Sequence, residues 1–246
     1  MKRGLALALL VILLLAGTAQ ALPLPRISIT TDEATDPEEV STVLQLAAVL
    51  TVLALAPSIL VLLTSFTRVL IVLSFLRQAL GAGQMPPNQI IVGLSLFLTA
   101  FIMAPVGQEI HQNALAPYLA QRIGPERALE RGLAPVRAFM LRQTREHDLA
   151  LMVDLSRSPR PKGAEEIATL VLIPAFVISE LRTAFQLAFV IFIPFLVIDM
   201  VVGSVLMSMG MLMLPPILVS LPIKILLFVL ADGWHLVVRS VVTSFR

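Results

Sequence analysis

The chain has no cysteine, one tryptophan, one tyrosine and three histidines in 246 residues. Without cysteine there are no disulfides, no thiolate metal sites and no cysteine nucleophile. His111, His147 and His235 share no ligand spacing with one another or with carboxylates. His147 sits among Arg145, Glu146 and Asp148, which reads as a solvated face. No HExxH, no Walker loop, no GxSxG and no glycine-rich phosphate cradle is present. No enzyme activity, cofactor or metal is therefore expected. Charge is also scarce. Asp, Glu, Lys and Arg make up 14% of the chain, against about 25% in soluble domains. The net charge of +2 gives nucleic-acid binding no electrostatic support.

What remains is apolar. Hydrophobic residues make up 57% of the chain and the mean hydropathy is +0.92. This composition belongs to an integral membrane protein or to a subunit of a very apolar assembly. Residues 1–21 read as a cleavable signal peptide: Lys2 and Arg3, an apolar stretch from Leu5 to Ala16, then Ala19-Gln20-Ala21. An uncleaved anchor is the alternative. Residues 22–43 form an acidic external arm, with Asp32, Glu33, Asp36, Glu38 and Glu39 against Arg26. This arm has too little apolar surface to fold alone.

Residues 44–106 read as a first apolar helical hairpin. Val40 to Thr67 carries no charge, and Pro57 inside it predicts a kink. Arg68 and Arg77 and the turn GAGQMPPNQ follow, then a second apolar run, Ile90 to Val106, ended by Pro105 and Gly107. Counting those arginines, the positive-inside rule puts this connection in the cytoplasm. Residues 107–167 differ. From Gln108 to Ala168 there are nine basic and eight acidic residues. Pro135 is expected to open an amphipathic helix through Phe139 and Met140 to Met152. This extracytoplasmic segment is either a subunit contact or a self-contained helical hairpin. SRSPRPKGAEE, residues 156–166, reads as a loop.

Residues 168–246 read as a second apolar hairpin with a methionine-rich tip. One arm runs from Ile167 to about Leu206 and the other from Ile217 to about Val238. The expected fold is thus all-α: membrane-associated, proline-kinked helical hairpins. Asp199 and Lys224 lie equally far from the midpoint between Met211 and Leu212. Antiparallel arms would bring them to one depth, where pairing lowers the desolvation cost of both. Separate snorkelling is the alternative. Glu180 and Arg182 form a second polar island. Glu180 shares a face with Val177 and Ala184 and needs a partner in another helix or subunit. Met207, Met209, Met211 and Met213 alternate through the tip, which suits either a deformable seal or ordinary packing.

Several separated motifs resemble one family. They are Pro174-Ala175-Phe176-Val177-Ile178-Ser179-Glu180-Leu181, Thr183-Ala184-Phe185-Gln186 and Ile193-Pro194-Phe195. Phe139-Met140-Leu141-Arg142-Gln143-Thr144-Arg145-Glu146, Pro86-Pro87-Asn88-Gln89, Met211 to Pro216 and Leu230-Ala231-Asp232-Gly233-Trp234 extend the match. Together they resemble the FliP family of type III secretion export-gate subunits. The chain departs at Ala188, where many members carry glycine, and its methionines alternate where relatives often have them consecutive.

The resemblance implies transport of unfolded proteins rather than catalysis. It implies copies of the chain assembling with FliQ-like and FliR-like subunits into a helical oligomer. The large export-gate subunit and an FlhB-like subunit would lie beside it, in the bacterial inner membrane within the flagellar basal body. It implies a channel gasket of Met209, Met211 and Met213, a hairpin in which Asp199 and Lys224 matter, and subunit contacts near Glu180, Arg182 and Phe139. The virulence injectisome homologue is the near alternative, and the signal and external segment favour the flagellar member. A small secondary transporter with midplane charges is the remote one.

Overall fold

A computed structural model describes residues 37–83, 85–156, 161, 163, 166–211 and 213–245. The signal peptide expected at 1–21 and most of the acidic arm lie outside the described residues, as does most of the loop at 156–166. Every regular element described is helical, as the long apolar runs led us to expect. In chain order these are α1 (Pro37–Leu63), α2 (Phe66–Leu80), α3 (Asn88–Ile110), a π-helical turn (His111–Leu115), α4 (Ala116–Leu119) and α5 (Pro125–Gln143). They continue as α6 (Glu146–Leu155), α7 (Thr169–Ser208), α8 (Ile217–Leu230) and α9 (Gly233–Thr243). The chain divides into two units, Met1–Thr51 and Val52–Arg246. In the first, the described residues form the start of α1. The architecture below is that of the second.

Two helical stretches are long and apolar enough to cross a membrane, Asn88–Leu119 and Thr169–Ser208. Two bent pairs, Leu53–Leu63 with Phe66–Leu80 and Ile217–Leu230 with Gly233–Thr243, raise the number to four if each is one span. The 40 residues of α7 rise about 60 Å, twice the ~30 Å hydrocarbon core of a bilayer.

The interior is built around α2. Val69, Val72, Leu73, Leu76, Ala79 and Leu80 are buried, a helical stripe that faces α7 on one side and α3 on the other. A second cluster joins Val106 of α3, Phe139 and Met140 of α5, and Leu172 and Phe176 of α7. Phe139 meets the Phe176 ring edge-on at 5.9 Å and stacks on Phe245 at 6.2 Å.

The helix breaks differ from those the sequence predicts, and each has a local cause. The kink expected at Pro57 lies instead at Thr64–Ser65, where the chain turns by 68°. Pro57 stays within α1 and is exposed. At the true bend, hydroxyls take up the freed carbonyls. Thr64 Oγ1 donates to Leu60 O (2.5 Å) and Thr67 Oγ1 to Val61 O (2.6 Å).

The helix from Asn88 does not end at Pro105 and Gly107 but runs to Leu119 through the π turn. Pro105 is exposed and lies within α3. In the π turn Ala114 is buried beside Gly132 of α5.

The amphipathic helix expected from Pro135 opens earlier, at Pro125, where proline in the first turn forfeits no bond. It then breaks at Thr144, in extended conformation. The break is stitched to α7: the Arg145 N–H donates to Ser179 Oγ (3.0 Å), and the Ser179 hydroxyl donates to Asp148 Oδ2 (2.7 Å).

The last apolar arm also breaks, by 67°, between α8 and α9. Asp232 adopts a left-handed conformation (φ 50°). A Cβ on Gly233 would lie 2.2 Å from ring carbons of Phe228. Only glycine lets the chain turn this closely over that ring. Trp234 then meets Phe228 edge-on at 5.5 Å.

Candidate functional site

The candidate site is the hairpin of α7 and α8, from its charged root to its methionine tip. At the tip α7 ends in a Schellman turn. Gly210 N–H donates to Met207 O (3.0 Å) and Met211 N–H to Leu206 O (3.0 Å), with Gly210 at φ 76°. Pro215 and Pro216 then lead into α8, with Pro216 capping its start, where their missing N–H groups remove no helical bond. Ser220 N–H closes the first turn on Pro216 O at 2.9 Å. The loop between holds Met209, Met211 and Met213, which are 66%, 43% and 98% exposed. These side chains are flexible, polarisable and uncommitted to the chain's own core.

At the root, Lys224 Nζ lies 2.5 Å from Asp199 Oδ2 and donates to the carbonyl of Ala79 at 3.1 Å. The Lys224 side chain is 4% exposed and that of Asp199 39%. The arms are thus antiparallel with these residues at one depth. Ala79 sits in the last turn of α2, where unpaired carbonyls and the helix dipole favour a cation. Gly81, the left-handed cap of α2 (φ 70°), leaves Lys224 Nζ 3.7 Å from where its Cβ would stand. Lys224 therefore ties three elements: both arms of the hairpin and the end of α2. Nothing in the sequence marks Ala79 for this part, because its contribution is a backbone carbonyl.

Glu180 and Arg182 do not act together. Glu180 is fully buried against Arg68. Arg68 Nε donates to Glu180 Oε2 at 2.9 Å, and Nη2 donates to both Glu180 Oε1 and Gln143 Oε1. Its Nη1 reaches Ser244 O (2.8 Å) and Ser244 Oγ (3.0 Å), and the guanidinium lies 3.8 Å over the Phe245 ring. One guanidinium thus joins α2, α5, α7 and the segment after α9, with all its donor groups engaged.

Counting Arg68 with Arg77 as an aqueous marker of topology is therefore corrected: Arg68 is 1% exposed. The signal that could have revealed this pair is scarcity, since Arg68 is one of two charges in α2 and Glu180 one of three in α7. Phe139 and Glu180 face the chain's own interior, while Arg182 is exposed. Among the described residues no group of three or more His, Asp or Glu could hold a metal. His235 lies 3.7 Å from Asp232 on the surface, and His111 and His147 are exposed.

The FliP family model matches residues 49–241, which include the root, the tip and Arg68, Gln143 and Glu180. The chain is 53% identical over 212 residues to the flagellar biosynthetic protein FliP of Bacillus subtilis, covering 86% of this chain and 96% of that protein. It is 56% identical over 183 residues to the protein of that name in Pectobacterium carotovorum, covering 74% and 71%. With the Aquifex aeolicus protein of that name it shares 47% over 205 residues, covering 82% and 86%. The chain belongs to the FliP family.

Proposed function

We propose that this chain is a core subunit of the flagellar protein-export gate, a membrane component of the flagellar apparatus that conducts unfolded proteins. The observation that carries this reading is the union of a deformable tip and a fixed root. Met209, Met211 and Met213 project from a turn closed by backbone bonds, while Lys224 fastens the base of the same hairpin to Asp199 and to α2. Copies arranged about an axis would bring their tips together. Thioether side chains repack around varied shapes, so such a ring seals against small solutes and yields to a passing chain. The work is steric and involves no bond making.

The apolar surface left on α3, α7 and α8 supports burial against lipid and against other subunits: copies of this chain, FliQ-like and FliR-like partners, the large export-gate subunit and an FlhB-like subunit. In this reading the chain sits in the bacterial inner membrane within the basal body. The flagellar names of its relatives favour that system over the virulence one.

Because the chain has no cysteine, single introduced thiols report without background. Cysteines at Met209, Met211 or Met213 are expected to crosslink to an export substrate stalled in the channel. A cysteine at Leu170, 85% exposed but far along α7 from the tip, is expected not to. Equal crosslinking at all four positions, or none at the tip, refutes the gasket.

A further inference from the structure

The structure separates the two members of the Glu180–Arg182 island. Glu180 turns inward, whereas Arg182 is exposed and has no ion pair or hydrogen bond among the described residues. Arg182 stands at an open groove of about 730 Å³ lined by residues of α2 and α7. On α7 the lining recurs at Phe185, Phe189, Phe192 and Leu196, in steps of three and four that keep one helix face. From Arg182 to Leu196 that face rises about 21 Å. One leaflet of a bilayer's hydrocarbon is about 15 Å deep.

The floor of the groove is aromatic. Phe185 and Phe189 are 52% and 65% exposed, and Phe75 braces Phe185 edge-on at 5.5 Å. Gln78 and Gln186 also line it, and Arg145 Nη2 donates to Gln186 Oε1 at 2.5 Å. The nearest acid in sequence, Glu180, is consumed by Arg68 and offers Arg182 no counter-charge. An exposed, unpaired guanidinium at an aromatic trough complements a molecule with an anionic head and a long apolar tail. The guanidinium fork matches phosphate oxygens, and the amides suit ester carbonyls.

We propose that this groove binds one anionic phospholipid, with its phosphate on Arg182 and an acyl chain along Phe185, Phe189 and Leu196. The site is separate from the hairpin root and tip. It gives the chain a lipid preference set by head-group charge.

Native mass spectrometry of the full-length chain in detergent, titrated with phosphatidylglycerol and separately with phosphatidylcholine, tests this. Phosphatidylglycerol is expected to bind more tightly. Arg182→Gln is expected to weaken it about fivefold, the effect of one basic residue at an anionic surface, and to weaken phosphatidylcholine less, because the choline cation already offsets that phosphate. Arg182→Lys keeps most of the preference, and Phe185→Ala with Phe189→Ala weakens both lipids. Since Arg182 is exposed, circular dichroism should show helicity unaltered by its substitution. Equal affinity for the two lipids in the unsubstituted chain, or an Arg182→Gln chain that binds phosphatidylglycerol as before, overturns the proposal. If Arg182→Gln instead abolishes self-association with lipid binding intact, the groove seats protein and the proposal fails.

Discussion

Arg68 and Glu180 meet as a two-point ion pair, Nε to Oε2 and Nη2 to Oε1, across 112 positions of sequence and with no access to water. Removing one partner strands a charge in the core. Glu180→Ala or Arg68→Ala is expected to cost about 3–5 kcal/mol. The double replacement Arg68→Met with Glu180→Leu, which removes both charges and keeps much of the volume, is expected to recover most of that loss. Thermal unfolding of the purified variants in detergent reads this directly. A double variant no more stable than either single would show that Gln143 and Ser244, not the ion pair, dominate the node.

At the hairpin root, Asp199→Lys and Lys224→Asp are each expected to abolish swarming in soft agar. Each places like charges at the position now spanned at 2.5 Å. The double exchange is expected to restore swarming only in part. An aspartate at 224 regains its ion pair but faces the carbonyl of Ala79, which the lysine now satisfies. Lys224→Arg should perform better than the double exchange. A double exchange as inactive as the single ones would mean that the pair has no role of its own.

Gly233→Ala is a steric prediction. The added methyl carbon falls 2.2 Å from the Phe228 ring, and overpacking of this kind costs about 1–3 kcal/mol. Phe228→Leu, although it removes a buried ring, is expected to lessen the effect of Gly233→Ala when the two are combined. Limited proteolysis near the α8–α9 junction measures both. Additive damage would place the strain elsewhere.

Ser179→Ala removes one hydroxyl that serves two groups, the N–H of Arg145 and the buried carboxylate of Asp148. Leaving both without their partner is expected to cost about 1–3 kcal/mol. Ser179→Thr keeps the hydroxyl and should cost less. Hydrogen exchange at Arg145 should quicken in the alanine variant and not in the threonine one.

The helical class and the depth of the hairpin root were legible because both follow from spacing. Apolar runs of membrane length imply helices, and two charges equidistant from a turn meet if the arms are antiparallel. The true bends were not legible. The bend at Asp232 depends on a phenyl ring, and the one at Thr64–Ser65 on hydroxyls reaching back to carbonyls. Pro57, Pro105 and Pro135, which look like breakers, stay inside helices. Arg68 misled for a different reason. On paper an arginine at the end of an apolar run marks water, and only the fold reveals the carboxylate opposite it. Ala79 could not be read at all, since a carbonyl has no signature in the side-chain alphabet.

The long separation of Arg68 from its partners sets an order to biosynthesis. Glu180 emerges 112 residues after Arg68, and Ser244 emerges 176 after it. At about 5–20 residues per second, the carboxylate arrives roughly 6–22 s after the guanidinium. During that interval Glu180 is not there to pair with it, so burying Arg68 would strand its charge. The core around α2 is therefore expected to close only after α7 is made. The buried arginine would thus delay completion of the N-terminal half until the hairpin half has been translated.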